Sequence, residues 1–298
     1  MKEIEKTYLP KNSDLSSLDA LDVLHLILYK YSNAILSYKT RMLLHDDPED
    51  LHKFRVNIRK SRAFLKEFAF LFPEEQYTYF SENLKEFATQ TNQKRDLDVI
   101  EERLEALEIE HGKLQEEIDR QRDQEQQHIR EMLQSKAFED FFHTYQNTLK
   151  KEKPLTAENN QDTIDTTARK VIQKRHRKIV KKIEALEKEP DSRKLHKIRI
   201  SLKKLRYMLE EFQHIFGEEK SEKMINKGKK LQTLLGDYND TVNQATLIHN
   251  YLASHAENLT ERRALEESLL KETSKDQKKL LHEAMKELHR FKAQPFSL

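Results

Sequence analysis

One stretch of 25 residues is written twice in this chain. LHKFRVNIRKSRAFLKEFAFLFPEE runs from Leu51 to Glu75, and LHKIRISLKKLRYMLEEFQHIFGEE runs from Leu195 to Glu219. His52 maps to His196, Arg55 to Arg199, Arg62 to Arg206, Phe68 to Phe212 and Phe72 to Phe216, always 144 positions apart. Self-similarity of this kind constrains architecture more than any local signal does. The period is far too long for a solenoid, so the chain reads as a duplicated half-domain.

Each copy reads as a helix with two stripes. At about 100° per residue, His52, Arg55, Arg59 and Arg62 fall within roughly 80° of one another. His196, Arg199, Lys203 and Arg206 do the same. Beside them runs an apolar arc of Leu51, Phe54, Ile58, Leu65, Phe68 and Phe72, matched by Leu195, Ile198, Leu202, Leu205, Leu209, Phe212 and Phe216. The arc is wide enough to be a core face. The basic stripe lacks acidic partners at i+4 until Lys66 and Glu210, where the copies diverge.

Charged residues make up 36% of the chain, with only 4 Gly and 6 Pro, so the expected fold is all-α. Two four-helix bundles related by a pseudo-two-fold axis would bring the signature helices into equivalent places, with their basic stripes facing one groove. The net charge is +2, so an anionic partner would have to be recognised by segregated charge rather than by overall charge. The absence of cysteine excludes disulfides, thiolate zinc sites and a cysteine nucleophile. With no apolar leader and no run of about 18 apolar residues, a cytoplasmic protein without a membrane contact is expected.

In chain order, residues 1–14 read as frayed and a single domain spans 15–295, in repeats of 15–150 and 166–295. A first helix runs from Ser17 to His45, and Asp47-Pro48 caps the signature helix, which stops at Phe72-Pro73. Helices follow over Glu75–Gln93 and Leu97–Glu110, then long charged helices over 113–151. Residues 154–165 lack periodicity and read as the linker between repeats. In the second repeat a basic helix precedes the signature, Lys220–Leu235 forms the next, and 245–298 supplies two more. The acid-rich helices at 100–130 form an exposed hairpin that offers a surface to a protein partner.

Arginines at this spacing present guanidinium forks along some 15 Å of helix. Forks grip phosphate oxygens in pairs and lysines add point charges, so a linear polyanion suits the stripes better than a small anion. The bland alternative is a stripe solvated or neutralised by neighbouring helices. His52 and His196 sit in first turns, where the helix dipole favours a neutral imidazole; each is either a structural histidine or a phosphate donor. A metal site finds little support, because Val56 and Ile200 stand four residues on and no H-E-x-x-H occurs. Asp96 and Asp240 are either N-caps of following helices or partners that orient the stripe arginines. No phosphate-binding glycine loop or carboxylate cluster accompanies the basic groups, which points to binding without catalysis and without a cofactor.

LHKFRVNIRKSR with RDLDV, then LHKIRISLKKLR with LGDYND, resembles the CHAD family, the conserved histidine α-helical domain, over roughly residues 15–295. The resemblance implies two helical bundles with pseudo-two-fold symmetry and a basic central surface that binds long-chain inorganic polyphosphate. It carries over to His52, Arg55, Arg59, Arg62, His196, Arg199, Lys203 and Arg206. Lys30, Lys85, Lys174, Arg177, Lys181, Lys227 and Lys230 are secondary candidates placed by periodicity. Association with polyphosphate granules follows from the same resemblance. The sequence departs from the pattern in three places: Asn92 stands opposite Gly236, Ser61 opposite Leu205, and the first helix carries Tyr31 and Tyr38 in place of basic residues. A nucleic-acid ligand is the competing expectation, disfavoured because few aromatics interleave the stripe for stacking.

Overall fold

The structure, a computed structural model, describes residues 15–106, 112–150, 163–189, 191–255, 267 and 278–293. Residues 1–14, most of the expected linker (154–162) and the tip of the acidic hairpin (107–111) lie outside that description. Among the described residues helix dominates and no strand forms. No helix is long and apolar enough to cross a membrane.

Local sequence explains where the helices begin. Asp19 caps α1 (Ala20–Leu44), accepting hydrogen bonds from Leu21 N at 2.9 Å and Asp22 N at 3.1 Å. Asp47 caps α2 (Pro48–Glu67) through Glu49 N at 2.8 Å, with Pro48 in the first turn as its fixed φ favours. Arg41 of α1 reaches the buried carboxylate of Asp50 at 2.8 Å and pins the two helices together. A 3-10 turn, Ala69–Leu71, then leads to α3 (Glu74–Gln90), α4 (Asn92–Ala106), α5 (Gly112–Gln134) and α6 (Lys136–Leu149).

Thr163, at the expected linker's end, is already the N-cap of α7 (Ile164–Lys188). The second signature is α8 (Ser192–Glu211), capped by Asp191 as the first is by Asp47. A short α9 (Gln213–Phe216) ends at Gly217, whose φ of 87° needs a glycine. Next come α10 (Glu218–His255) and a helix at 278–293, α11.

The structure departs from two expected helix boundaries. The first-half break falls at Thr91 rather than after Arg95, so α4 starts at Asn92 and Asp96 lies inside the helix instead of capping it. In the second half no break occurs, and α10 runs unbroken through Gly236 and Asp240. A lone glycine weakens a helix by only about 1 kcal/mol, and no proline follows to stop it.

The two signature helices meet at the centre. Phe68 and Phe212, 144 positions apart, pack edge to face with centroids 5.9 Å apart, and Phe64 touches both rings. Asp19 and Thr163, also 144 apart, form an isolated antiparallel bridge, closed by Ile164 N donating to Leu18 O at 2.9 Å. The apolar arcs read from sequence are buried: Leu51, Phe54, Ile58 and Leu65 on α2, and Leu195, Ile198, Leu202, Leu205 and Leu209 on α8. Ser61 is fully buried too, its hydroxyl donating to Asn57 O at 3.0 Å. Because Phe68 is fully buried among three other phenylalanine rings, Phe68→Ala should cost about 3–5 kcal/mol in urea unfolding.

Candidate functional site

The basic stripe of α2 has two kinds of cation. Arg55 is built into the fold: its guanidinium donates to Ala88 O at 2.9 Å, Thr91 Oγ1 at 2.5 Å and Asn92 Oδ1 at 2.9 Å. It thereby takes up a carbonyl freed where α3 gives way to α4. Burial, followed by the field of Arg59, pulls the Arg55 guanidinium down to about 10, against a pull upward from Asp96. Asp96 therefore lies within electrostatic reach of Arg55 and Arg95, and burial raises its own carboxyl before those charges lower it. The counterpart, Arg199, lies over Gly236, where an added Cβ would stand 4.0 Å from the guanidinium. The sequence equivalence of Asn92 and Gly236 thus recurs as equivalence of place beside an arginine.

Arg59 is exposed and Arg62 half-buried, and burial lowers the Arg62 guanidinium. His52 is half-buried; desolvation, then Arg59 and Arg95, hold its imidazole below the ordinary value. His196 and Lys203 are half-buried on α8. Arg206 pairs with Glu210 at 3.5 Å and lies 5.6 Å from the Tyr207 ring.

The densest charge lies where α2, α7 and α8 come together. Glu67, the last residue of α2, pairs with Arg175 of α7 and, at 3.5 Å, with Lys204 of α8. Burial pushes the Lys204 ammonium down to about 8, helped by Arg175, Lys66, Arg62 and Lys182. Lys182 is lowered likewise by burial and then by Arg175, while it donates to Ser201 Oγ at 2.5 Å. On the far side, Glu211 at the end of α8 accepts from Tyr31 Oη at 2.6 Å and from Lys30 at 2.8 Å. Lys60 sits over the rings of Tyr31 and Tyr207, at 5.4 and 5.6 Å.

Of this central cluster, sequence reading picked out only Arg62 and Lys30. Arg175, Lys182, Lys204, Lys60, Glu67 and Glu211 carry no signal in the spacing of their own helices. A usable signal was there: Lys60 recurs as Lys204 and Glu67 as Glu211 at the same offset of 144. The lysine face chosen on α7 (Lys174, Arg177, Lys181) is exposed, whereas Arg175 and Lys182, turned by about 100° from it, face the neighbouring helices. Lys85 is exposed on α3, and Lys230 pairs with Glu287 of α11 at 3.0 Å. The side chains of Lys227 and Asp240 lie outside the described residues. The acidic hairpin of α4 and α5 is partly self-neutralised, with Arg122 paired to Asp98 and Glu101. Among the described residues no group of three His, Asp or Glu is placed to hold a metal.

The sequence profile of the CHAD domain matches residues 27–249, which include both signature helices and the central cluster. This chain belongs to the CHAD family. Its fold is similar to the crystal structure of the CHAD domain from the plant Ricinus communis, with a TM-score of 0.75 and 20% identity, covering 97% of this chain and 98% of that one. It is also similar to PptA from Streptomyces chartreusis, with a TM-score of 0.66 and 17% identity, covering 93% of this chain and all of the other. A search of curated proteins found no match.

The split between built-in and exposed cations in this CHAD domain is measurable. Arg55→Ala should cost about 2–3 kcal/mol of stability in chemical denaturation, since it strips three charge-assisted hydrogen bonds. Arg59→Ala should cost less than about 0.5 kcal/mol. The folded His52 binds a proton less readily than the unfolded chain, so its share of stability is lost as pH falls below 6.5. By NMR its ring should titrate below 6.5, and Arg59→Ala should move that midpoint back up.

Proposed function

We propose that this CHAD domain binds long-chain inorganic polyphosphate without transforming it. One observation carries the reading. Half-buried Arg62, Arg175 and Lys182 and exposed Lys66 gather around half-buried Lys204, with Arg175 and Lys204 both reaching Glu67, close enough that their repulsion adds to burial in lowering Lys204. Crowding like charges into a partly desolvated seam is costly, and a polyanion relieves it. Membership in the CHAD family, known from polyphosphate-related proteins, supports the same ligand. The stripe residues His52, Arg59, His196, Arg199 and Lys203 extend the basic surface along α2 and α8. Arg55 serves chiefly to hold the helices that shape it.

In this proposal the chain comprises two related halves, each built around one signature helix. The meeting of Phe68 with Phe212 and of Asp19 with Thr163 supports a pseudo-two-fold arrangement. Such a chain would collect on polyphosphate granules inside the cell. Single-stranded nucleic acid is the weaker ligand, because Tyr31 and Tyr207 are buried at 2% and 6% exposure and offer bases no face to stack on, which leaves half-buried Tyr77 near Arg62 as a single platform where a run of bases needs several.

Binding of long-chain polyphosphate and of single-stranded RNA with matched phosphate count, titrated over a salt series, tests this. Polyphosphate should bind tighter, and the Arg62→Ala, Lys66→Ala, Lys204→Ala triple variant should weaken it and flatten the log–log salt slope by about two to three. Equal or tighter RNA binding would transfer the surface to nucleic acid. An unchanged slope in a folded triple variant would remove this cluster from the site.

A further inference from the structure

Glu67 and Glu211 hold equivalent positions in the repeat, yet their surroundings differ. Arg175, Lys182 and Lys66 on the Glu67 side correspond to Tyr31, Tyr38 and Glu210 on the Glu211 side. One seam is therefore rich in cations where the other carries two tyrosines and an extra acid. Glu211 is satisfied by a phenol and one lysine. Glu67 is a single carboxylate set against Arg175 and Lys204, with Arg62, Lys66 and Lys182 within electrostatic reach of the same lysine.

Glu67 is also oddly placed for a residue serving its own helix. It ends α2, where the helix dipole disfavours an acid, so its partners on α7 and α8 hold it there. Its side chain is 9% exposed, against 11% for Arg175 and 19% for Lys204. Exposed Lys66 and half-buried Arg62 lie at the rim of this buried pair. The backbone leaves the helix at the next residue, Phe68, and enters a short 3-10 turn, so the carboxylate can swing without unwinding α2.

We propose that Glu67 is an internal stand-in for one phosphate group: the arriving polyanion displaces its carboxylate from Arg175 and Lys204 and takes those two cations, while Glu211 stays in place as a tie. The proposal rests on the polyphosphate reading above. A phosphate presents several acceptor oxygens to the Arg175 fork and its neighbours bring further charge, so it neutralises the seam more fully than one carboxylate does. Burial first, and then the surrounding cations, lower the Lys204 ammonium, so Glu67 does not offset them alone. The device also makes binding one-sided, centred on the α2–α7–α8 seam rather than shared equally by both halves.

The experiment compares the full-length chain with Glu67→Gln, Glu67→Asp and Glu211→Gln, each titrated with long-chain polyphosphate at one salt concentration and melted with and without it. Glu67→Gln should melt lower alone and bind about tenfold tighter, the competitor having been removed. Glu67→Asp keeps the charge but draws it back by one methylene; it should tighten binding by a smaller factor and decides the matter if Glu67→Gln does not fold. Glu211→Gln should leave affinity within about twofold. Wild-type binding with no tightening in either Glu67 variant would show that Glu67 positions Arg175 and Lys204 instead of competing for the ligand. Equal tightening in Glu211→Gln would overturn the one-sidedness. Absence of polyphosphate binding by the wild type would bring down the functional reading, and this proposal with it.

Discussion

A carboxylate at the end of one helix that meets polar partners on its neighbours fixes how those helices sit. Glu67 does this from the end of α2 toward α7 and α8, and Glu211 does it from the end of α8 toward α1. Each lies one residue before a phenylalanine, and those two rings, Phe68 and Phe212, pack on each other. Apolar contact and crossed ion pairs thus occupy adjacent residues. The ring contact excludes water next to the charges, which strengthens the pairing and raises the cost of leaving either partner alone.

From that centre outward, the same residue type takes different work according to its depth. Arg55, buried against the α3–α4 junction, spends its donors on the fold, while Arg59, one helical turn along, remains exposed. A regular basic stripe is therefore neither wholly a ligand surface nor wholly scaffold. His52 lies among such cations, and burial, followed by their field, disfavours the charged form of its ring.

The two halves diverge most where charge is concerned and agree more closely where packing is, with Ser61 opposite Leu205 as a core exception. The paired arcs of Leu51 and Leu195, Phe54 and Ile198, Ile58 and Leu202, and Phe68 and Phe212 are buried in both copies. By contrast Arg175 stands opposite Tyr31, and Lys182 opposite Tyr38. Core positions tolerate little change in volume, whereas residues lining a seam are free to alter charge so long as each buried group keeps a partner. The tyrosine at position 31 meets that condition through Glu211.

The repeat of LHKFRVNIRKSR, the helical spacing of its apolar residues and the cap at Asp47 are local patterns, and period and cap chemistry are enough to place the two signature helices and their buried faces. Two boundaries are not legible locally: the break at Thr91 depends on a partner for a freed carbonyl, Arg55, more than thirty residues away, and at Gly236, beneath Arg199, the helix runs on without a break. The central cluster escaped for the same reason. Arg175, Lys204 and Glu67 look like ordinary solvated charges along their own helices, and only the packing of α2 against α7 and α8 turns them inward together. Sequence by itself determined which faces are apolar and which basic; tertiary structure decided which cations are spent on the fold and which are left crowded, because burial and proximity are properties of neighbouring helices and not of one.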